Sequence, residues 1–159
     1  MTVALPDWAL ALDDDPAFER LGKPPNLATN WVHANPNGRR LRADYFVDKV
    51  GRNLIGVAVF GDEAEGLPGL AHGGAITSLI DDALGTTAWL AGHYAMSLNL
   101  NVDFRRVIRL GVPVRLDASV SRVEGRKVYA ACRIISPPDT LHSEGAGLFL
   151  QVPPPGSPG

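Results

Sequence analysis

The sequence predicts an α+β fold in which a curved antiparallel sheet of about five or six strands wraps around one long central helix. The helix is predicted over residues 72–91, which contain no proline and would extend about 30 Å at 1.5 Å per residue. Six other segments are rich in the β-branched and aromatic residues of strands. Short turns join the last three of these segments, so we expect them to be antiparallel neighbours.

Length and composition place the chain among single-domain globular proteins. It has 159 residues, and its 45% hydrophobic and 20% charged residues exclude a disordered chain. The formal net charge of −2 argues against a nucleic-acid partner. The single cysteine, Cys132, excludes an intrachain disulfide, and no Cys/His spacing predicts a metal site.

The N-terminus and the hydropathy indicate a cytoplasmic protein. No Lys or Arg precedes the first apolar run, and acidic residues follow it at once, so a signal peptide is not expected. No apolar stretch reaches the roughly 18 residues that a membrane span needs. We therefore expect no membrane partner.

The composition divides the chain into an N-terminal extension, a domain and a flexible Pro/Gly tail, which cover residues 1–30, 31–152 and 153–159. Asp15 followed by Pro16 is typical of a helix N-cap and a first helical residue. The extension is therefore predicted to contain a short helix over residues 16–21. The tail is rich in proline, which cannot join a sheet.

Six strands are predicted between the extension and the tail. The predicted helix separates the first two strands from the last four. A turn signal, Asn35-Pro36-Asn37-Gly38, precedes the first strand. In chain order the predicted strands cover residues 40–47, 53–60, 97–104, 112–123, 127–135 and 142–152.

The predicted helix has two unlike faces when its residues are placed at 100° each. The apolar face, which should pack on the sheet, holds Ile76, Leu79, Ile80, Ala83, Leu84 and Leu90. The opposite face, called here the small-residue face, holds Gly74, Thr77, Ser78, Asp81, Gly85 and Ala88. Since the helix has none of the Lys, Arg, Glu or Gln that a solvent-exposed face normally carries, we expect a partner subunit, a ligand or both to approach the small-residue face closely.

Asp81 is the one acidic residue on this crowded face. A carboxylate held away from water needs hydrogen bonds or a raised pKa, and such groups are candidates for a general base or nucleophile. Asp82 points to a different side of the helix. The alternative is that both aspartates are solvated surface charges, but the small-residue face favours a function for Asp81.

The start of the helix predicts an anion site. The first amides of a helix have no internal partner and lie at the positive end of its dipole. In the run Ala71-His72-Gly73-Gly74 the two glycines would let a ligand approach those amides. Such a site suits an anion, or an oxygen that becomes negative in a transition state. The alternative is an ordinary glycine-rich turn.

These residues together resemble the signature of the hot-dog-fold thioesterases, and of their phenylacetyl-CoA thioesterase and mammalian thioesterase superfamily member branch in particular. In that signature a His-Gly-Gly run is followed by an acid nine residues after the His and a Gly four residues later. His72, Gly73, Gly74, Asp81 and Gly85 match it. The resemblance continues through residues 97–106 and covers roughly residues 40–152.

The resemblance implies a hot-dog domain that hydrolyses an acyl-CoA thioester with no metal and no bound cofactor. Asp81 would activate water or attack the thioester carbonyl, and the Gly73 N–H, helped by Gly74, would bind the carbonyl oxygen. His72 would shape the helix start and contact the thioester, and Ser97 would place a hydroxyl near the attacking water.

The resemblance also implies where the substrate and the subunits lie. The CoA phosphates would lie near three arginines whose guanidinium groups suit phosphate, although an exposed basic loop is the alternative: Arg105, Arg106 and Arg109. The family site lies between subunits, which implies a homodimer or a dimer of dimers, that is, a homotetramer.

One position departs from the family pattern. Many relatives place an Asn or Gln about six residues before the His, where this chain has Gly66. This departure supports a second hypothesis, a hot-dog protein that binds acyl-CoA or acyl carrier protein without turning the thioester over. A hot-dog dehydratase or hydratase is a third hypothesis, but the His-Phe-Pro and Asp-x-Asn-Pro-x-His motifs of these enzymes do not occur here. An unrelated α+β interaction domain would require the whole pattern to be accidental.

Overall fold

A computed structural model describes residues 4–22, 30–34 and 37–157 of the chain. Within these residues it contains two α-helices and one sheet of seven strands, in which every pair of neighbours is antiparallel. The elements are α1 (Asp7–Asp14), β1 (Phe18–Arg20), β2 (Leu41–Asp48), β3 (Leu54–Phe60), α2 (Gly73–Leu90), β4 (Ala95–Phe104), β5 (Val114–Glu124), β6 (Lys127–Ser136) and β7 (Thr140–Gln151).

The strands lie in the order β1-β2-β3-β5-β6-β7-β4 across the sheet. Helix α2 packs against β3, β4, β5, β6 and β7, so the sheet curves around it. The predicted α+β fold is confirmed, with seven strands where about five or six were expected. The additional strand is β1, whose three residues pair with the end of β2.

The apolar face of α2 is buried on the concave side of the sheet, as predicted. Five of its six residues are at most 4% exposed: Ile76, Leu79, Ile80, Ala83 and Leu84. Each large aliphatic side chain buried in this way stabilises the fold by roughly 1.5–3 kcal/mol. Two glycines of β7 let the helix approach closely, because a Cβ at Gly145 would lie 2.5 Å from the Cγ2 of Ile80 and a Cβ at Gly147 would lie 3.0 Å from a methyl of Leu84.

The N-terminal helix covers part of the convex side of the sheet. In α1 the side chains of Ala9 and Leu12 are buried against an outward-facing cluster of β2 and β3. That cluster consists of Phe46, Ile55 and Val57. The sheet therefore has an apolar layer on both faces in this region, one under α1 and one under α2.

The helix predicted over residues 16–21 is wrong. Helix α1 lies earlier in the chain and begins after Pro6. Asp15 does accept a hydrogen bond from the Ala17 N–H at 2.9 Å, as an N-cap side chain would, but the bond closes a turn. Phe18–Arg20 forms a strand because pairing with β2 satisfies the hydrogen-bonding groups of its backbone. Tertiary pairing therefore decides the secondary structure of this segment.

Several expected features lie wholly or partly outside the described residues. In the predicted turn this applies to Asn35 and Pro36, and in the extension and the tail it applies to residues 1–3, 23–29 and 158–159. The division into extension, domain and tail stays a prediction. Among the residues that the structure describes, no helix is long and apolar enough to cross a membrane.

Candidate active site

The loop that precedes α2 is a compact turn held by its own hydrogen bonds. The Gly66 N–H donates to the Leu70 carbonyl at 2.9 Å. Glu65 turns its carboxylate inward and accepts a hydrogen bond from the Gly69 N–H at 2.7 Å. The Ala71 N–H donates to the carbonyl of Ile108 in the loop after β4. These bonds fix the direction in which the chain enters the helix.

His72 is the N-cap of α2, and its imidazole satisfies one of the first helical amides. Nδ1 accepts a hydrogen bond from the Gly74 N–H at 2.8 Å. The ring proton of the neutral imidazole is therefore on Nε2, which remains available as a donor. The expectation of two bare amides at the helix start is wrong for Gly74. Among the described residues the Gly73 N–H has no hydrogen-bond acceptor, as expected for the first residue of a helix.

An open cavity of about 460 Å³ reaches this helix start. Two predicted site residues, His72 and Gly73, line this cavity. The rest of the described lining is mainly apolar and consists of Gly66, Leu67, Leu70, Ala71 and Val107. The ring of Phe104, on the last residue of β4, lies over Gly73, where an added Cβ would be 3.4 Å from the ring. A free backbone donor thus faces a mostly apolar opening.

Asp81 lies two turns further along α2, beside the edge strand β4. The Ser97 hydroxyl donates to Asp81 Oδ1 at 2.8 Å. Among the described residues the second oxygen, Oδ2, has no donor. The side chain is half-buried, so this carboxylate is neither a fully solvated charge nor part of the core. The structure therefore places Asp81 and Ser97 together.

Asp81 and the Gly73 N–H of one chain are far apart. Eight residues separate them on the same helix, which corresponds to about 12 Å along its axis. A water oxygen and a carbonyl oxygen that take part in one attack lie within a few ångströms of each other. One chain alone therefore does not bring these two groups to a single carbonyl.

Asp82 is the better-buried member of the aspartate pair and has three donors. Asn30 Nδ2 lies 3.0 Å from Oδ1, while His33 Nε2 and the Tyr45 hydroxyl lie 2.9 and 2.8 Å from Oδ2. The His33 and Tyr45 rings meet edge to face. Burial and the nearby Asp82 carboxylate raise the pKa of Tyr45 well above its usual value, so its hydroxyl stays a donor. The interpretation of Asp82 as a solvated charge is wrong, because its carboxylate is hydrogen-bonded to these three side chains. Through Asn30 and His33, Asp82 connects residues 30–34 to α2.

The small-residue face is covered at Ala88, its last residue, and is partly open along the rest of its length. Ala88 is 1% exposed and belongs to the core, and a Cβ at Gly85 would meet the Phe149 ring at 3.8 Å. Ala88 is therefore covered, which differs from the expectation, while Gly85 is half-buried. Gly74, Thr77, Ser78 and Asp81 remain half-buried or exposed.

The three arginines differ in their surroundings. The Arg105 guanidinium lies 2.9 Å from Glu144 and 3.3 Å from Asp103, and the bond to Glu144 raises its pKa. Arg106 and Arg109 are exposed, and among the described residues neither has an ion-pair partner. Two of the three candidates thus keep a guanidinium free for an anion, whereas Arg105 is already paired.

Gly66 has a steric role that explains the missing carboxamide. A Cβ at this position would lie 2.9 Å from the Cα of His72, which is backbone and cannot move aside cheaply. The tight turn before α2 therefore requires glycine here.

Among the described residues, no group of three or more His, Cys, Asp or Glu side chains could hold a metal ion.

Sequence reasoning missed the residues that reach the helix from distant parts of the chain. Asn30, His33 and Tyr45 bind Asp82, and Phe104 covers Gly73. An apolar-to-polar alternation along β2 would place Tyr45 on the inner face. No local pattern gives a partner for His33, because its contact joins positions 49 residues apart.

Replacing Asp82 by Ala should lower the free energy of unfolding by roughly 2–4 kcal/mol, because the buried Tyr45 hydroxyl and His33 ring would lose their acceptor. Urea unfolding followed by circular dichroism measures this change. Asp81→Ala is the matched control and should cost less than about 1 kcal/mol, since Asp81 has one hydrogen bond and is partly solvated. Equal losses in the two variants would contradict the structural role of Asp82.

Replacing Gly66 by Asn, which restores the carboxamide of many relatives, should destabilise the protein by about 1–3 kcal/mol, because its Cβ would press on the His72 backbone. Thermal unfolding measures the effect. Gly22→Asn is the control, because within the described part of the chain nothing lies within 4 Å of a Cβ at Gly22. An unchanged melting temperature in Gly66→Asn would show that the turn has room for a side chain.

Comparison with known proteins relates this geometry to a family. Residues 68–142 match the thioesterase superfamily. The chain is 38% identical over 110 residues to acyl-coenzyme A thioesterase THEM4 of Xenopus laevis, a match that covers 69% of this chain and 50% of that protein. The chain therefore spans about half the length of this curated relative.

Solved structures share the fold. The PaaI protein of E. coli, from the phenylacetic acid degradation operon, has a TM-score of 0.63 and 17% identity over 70% of this chain and 80% of its own. A Streptococcus mutans protein solved with acetyl-CoA bound has a TM-score of 0.65 and 17% identity over 70% of this chain and 89% of its own. Sequence and fold together confirm the predicted resemblance: the chain is a relative of the thioesterase superfamily and has its hot-dog fold.

Proposed function

We propose that this protein hydrolyses an acyl-CoA thioester to a free acid and CoA. The observation that carries the proposal is Asp81, a half-buried carboxylate that receives the Ser97 hydroxyl on Oδ1 and keeps Oδ2 free. It lies on the partly open face of a helix whose first amide is also free. The similarity to proteins named acyl-coenzyme A thioesterases supports the substrate class.

In the proposed reaction Asp81 acts as a general base or as the nucleophile. As a base, its Oδ2 takes a proton from a water molecule while the water oxygen attacks the thioester carbonyl carbon. The Gly73 N–H stabilises the negative carbonyl oxygen. When the C–S bond breaks, the thiolate leaves with the proton held by Asp81. As a nucleophile, Asp81 would attack the carbonyl carbon, the C–S bond would break and release the CoA thiolate, and water would then hydrolyse the resulting acyl anhydride to the free acid and the Asp81 carboxylate. Neither route needs a bound cofactor.

His72 and Ser97 support these two groups in the proposal. The His72 imidazole caps Gly74 through Nδ1 and directs its Nε2–H towards the substrate. Ser97 holds one carboxylate oxygen, which leaves the other oriented towards water. Because Gly74 has no side chain, the thioester can approach the helix at this position, while the Gly74 N–H stays hydrogen-bonded to His72.

We propose that the working unit is a two-fold dimer, or a dimer of dimers. Asp81 and Gly73 of one helix are roughly 12 Å apart, but two α2 helices that run antiparallel and side by side can bring Asp81 of one chain next to Gly73 of the other. Asp81 of one protomer then meets Gly73 of the partner subunit. Exposed apolar side chains of the edge strand β4 support this pairing, since Met96 is 63% and Leu98 56% exposed.

The CoA phosphates are proposed to bind Arg106 and Arg109. Their free guanidinium groups extend from the loop whose Val107 lines the cavity. Arg105 contributes charge to the same region, although Glu144 already neutralises part of it. The cytoplasmic location and the absence of a nucleic-acid partner stay predictions.

A second candidate function is acyl-CoA binding without turnover. Glycine at position 66 favours it, since no carboxamide reaches the site from this loop. Saturable acyl-CoA binding with no thiol release would support binding alone.

Asp81→Asn should lower kcat by about 10²- to 10³-fold, because an amide cannot take the proton of the attacking water. Free thiol released from short, long and aromatic acyl-CoAs measures the rate. A thiol-reactive dye detects the released CoA. The buried Cys132, whose thiol pKa is raised by burial, will not react with this dye. Asp14→Asn, an exposed carboxylate on α1, is the control. Full activity in Asp81→Asn would refute the catalytic assignment.

Mixing Asp81→Asn with Gly73→Val should restore roughly a quarter of wild-type activity after subunit exchange, since half the dimers would be mixed and each mixed dimer would hold one intact site. Leu98→Lys should shift the protein to a monomer in sedimentation velocity. The control is Val50→Lys, at a turn position that is 91% exposed. No activity from the mixture of two folded variants would contradict a shared site.

A further inference from the structure

We infer that His142, at the start of β7, is a positioning residue that holds the loop of residues 105–111 against the helix start. This inference rests on the proposed function for its effect on substrate. Three hydrogen bonds join His142 to the beginning of this loop. Its carbonyl accepts from the N–H groups of Arg105 and Arg106 at 2.8 and 2.9 Å, and its Nδ1 lies 2.8 Å from the Val107 carbonyl.

The two side-chain contacts of the His142 ring define its tautomer. The Val107 carbonyl only accepts hydrogen bonds, so the ring proton lies on Nδ1. Nε2 of the neutral ring is then an acceptor, and it lies 2.8 Å from the Ser136 hydroxyl, which donates to it. Ser136 is the last residue of β6. The two ends of the β6–β7 hairpin therefore cooperate in binding one carbonyl of the loop.

The same loop continues into the turn that precedes α2. The Ile108 carbonyl accepts from the Ala71 N–H at 2.9 Å, and the Leu110 N–H donates to the Gly69 carbonyl at 3.0 Å. The loop is thus bound at its beginning by His142 and at its end by the turn. Val107 lies between these two attachments and lines the cavity together with Gly73.

The consequence concerns the two free arginines. Arg106 and Arg109 flank Val107, so the bond from His142 fixes where both guanidinium groups emerge relative to Gly73. Arginine side chains are long and lose conformational entropy when they bind phosphate. A backbone that is already ordered before binding lowers this entropy cost and so raises the affinity. His142 would therefore act on the binding of the CoA nucleotide and not on the chemical step.

The test compares His142→Leu with His142→Asn on two substrates. The Asn side chain can donate to the Val107 carbonyl in place of Nδ1, whereas Leu cannot. In His142→Leu, KM for acyl-CoA should rise about three- to tenfold, the size of one lost hydrogen bond, with kcat within about twofold. KM for the same acyl group on pantetheine, which lacks the nucleotide phosphates, should not change. His142→Asn should match the wild type on both substrates.

Hydrogen exchange provides a readout that does not need activity. The amides of residues 105–111 should exchange faster in His142→Leu than in the wild type and in His142→Asn, while β2 and β3 stay unchanged. If His142→Leu does not fold, His142→Ala decides the question, because it also removes the donor to the Val107 carbonyl and should also speed exchange in the loop.

The outcomes separate this inference from the proposed function. A wild-type protein that releases no thiol from any acyl-CoA refutes the proposed function, while exchange in the loop still tests the positioning role. An active wild type with unchanged loop exchange in the folded variants, or an equal rise in KM for acyl-CoA and acyl-pantetheine, overturns the inference about His142.

Discussion

Helix α2 rests on strand β7 at two glycines, and this contact sets the rotation of the helix about its own axis. Ile80 and Leu84 occupy the space that side chains at Gly145 and Gly147 would fill. Because the apolar face of the helix is held so closely, the directions of all its other residues follow. Asp81 must point towards β4, and Asp82 must point towards β2. The arrangement of the candidate site is therefore a consequence of packing in the core.

The adjacent aspartates show how one rotation of about 100° separates two roles. Asp82 faces Tyr45 and His33, where three donors balance its burial and make it part of the scaffold. Asp81 faces the edge of the sheet, where it meets one hydroxyl and retains an oxygen without a donor. A carboxylate with unused hydrogen-bonding capacity next to an open face is suited to chemistry, whereas a fully satisfied one stabilises structure.

In the proposed mechanism the helix start and Asp81 are two halves of a site that one chain leaves separate. The free amide of Gly73 lies under Phe104 at one end of the open helix face, and Asp81 lies two turns away. The exposed apolar residues of β4 lie beside the same face. Under the proposed pairing, a single two-fold operation would cover that face, extend the sheet edge and bring the two halves together.

The sequence by itself determined the longer elements, because their signals are local, whereas it misplaced the N-terminal helix α1. Helix α2, the six longer strands and the buried face of the helix followed from periodicity and from breaks at glycine and proline. The family resemblance implied separate roles for Asp81 and Ser97, and the hydrogen bond between them is a finding of the structure. Only the tertiary structure decided which groups were already occupied. It showed that His72 binds the Gly74 amide, that Glu144 pairs with Arg105, and that Asp82 binds His33. It also turned residues 18–20 into a strand, because three residues have no strand signal without a neighbour to pair with. Periodicity describes which way a side chain faces, whereas its partner comes from a part of the chain that only folding brings near.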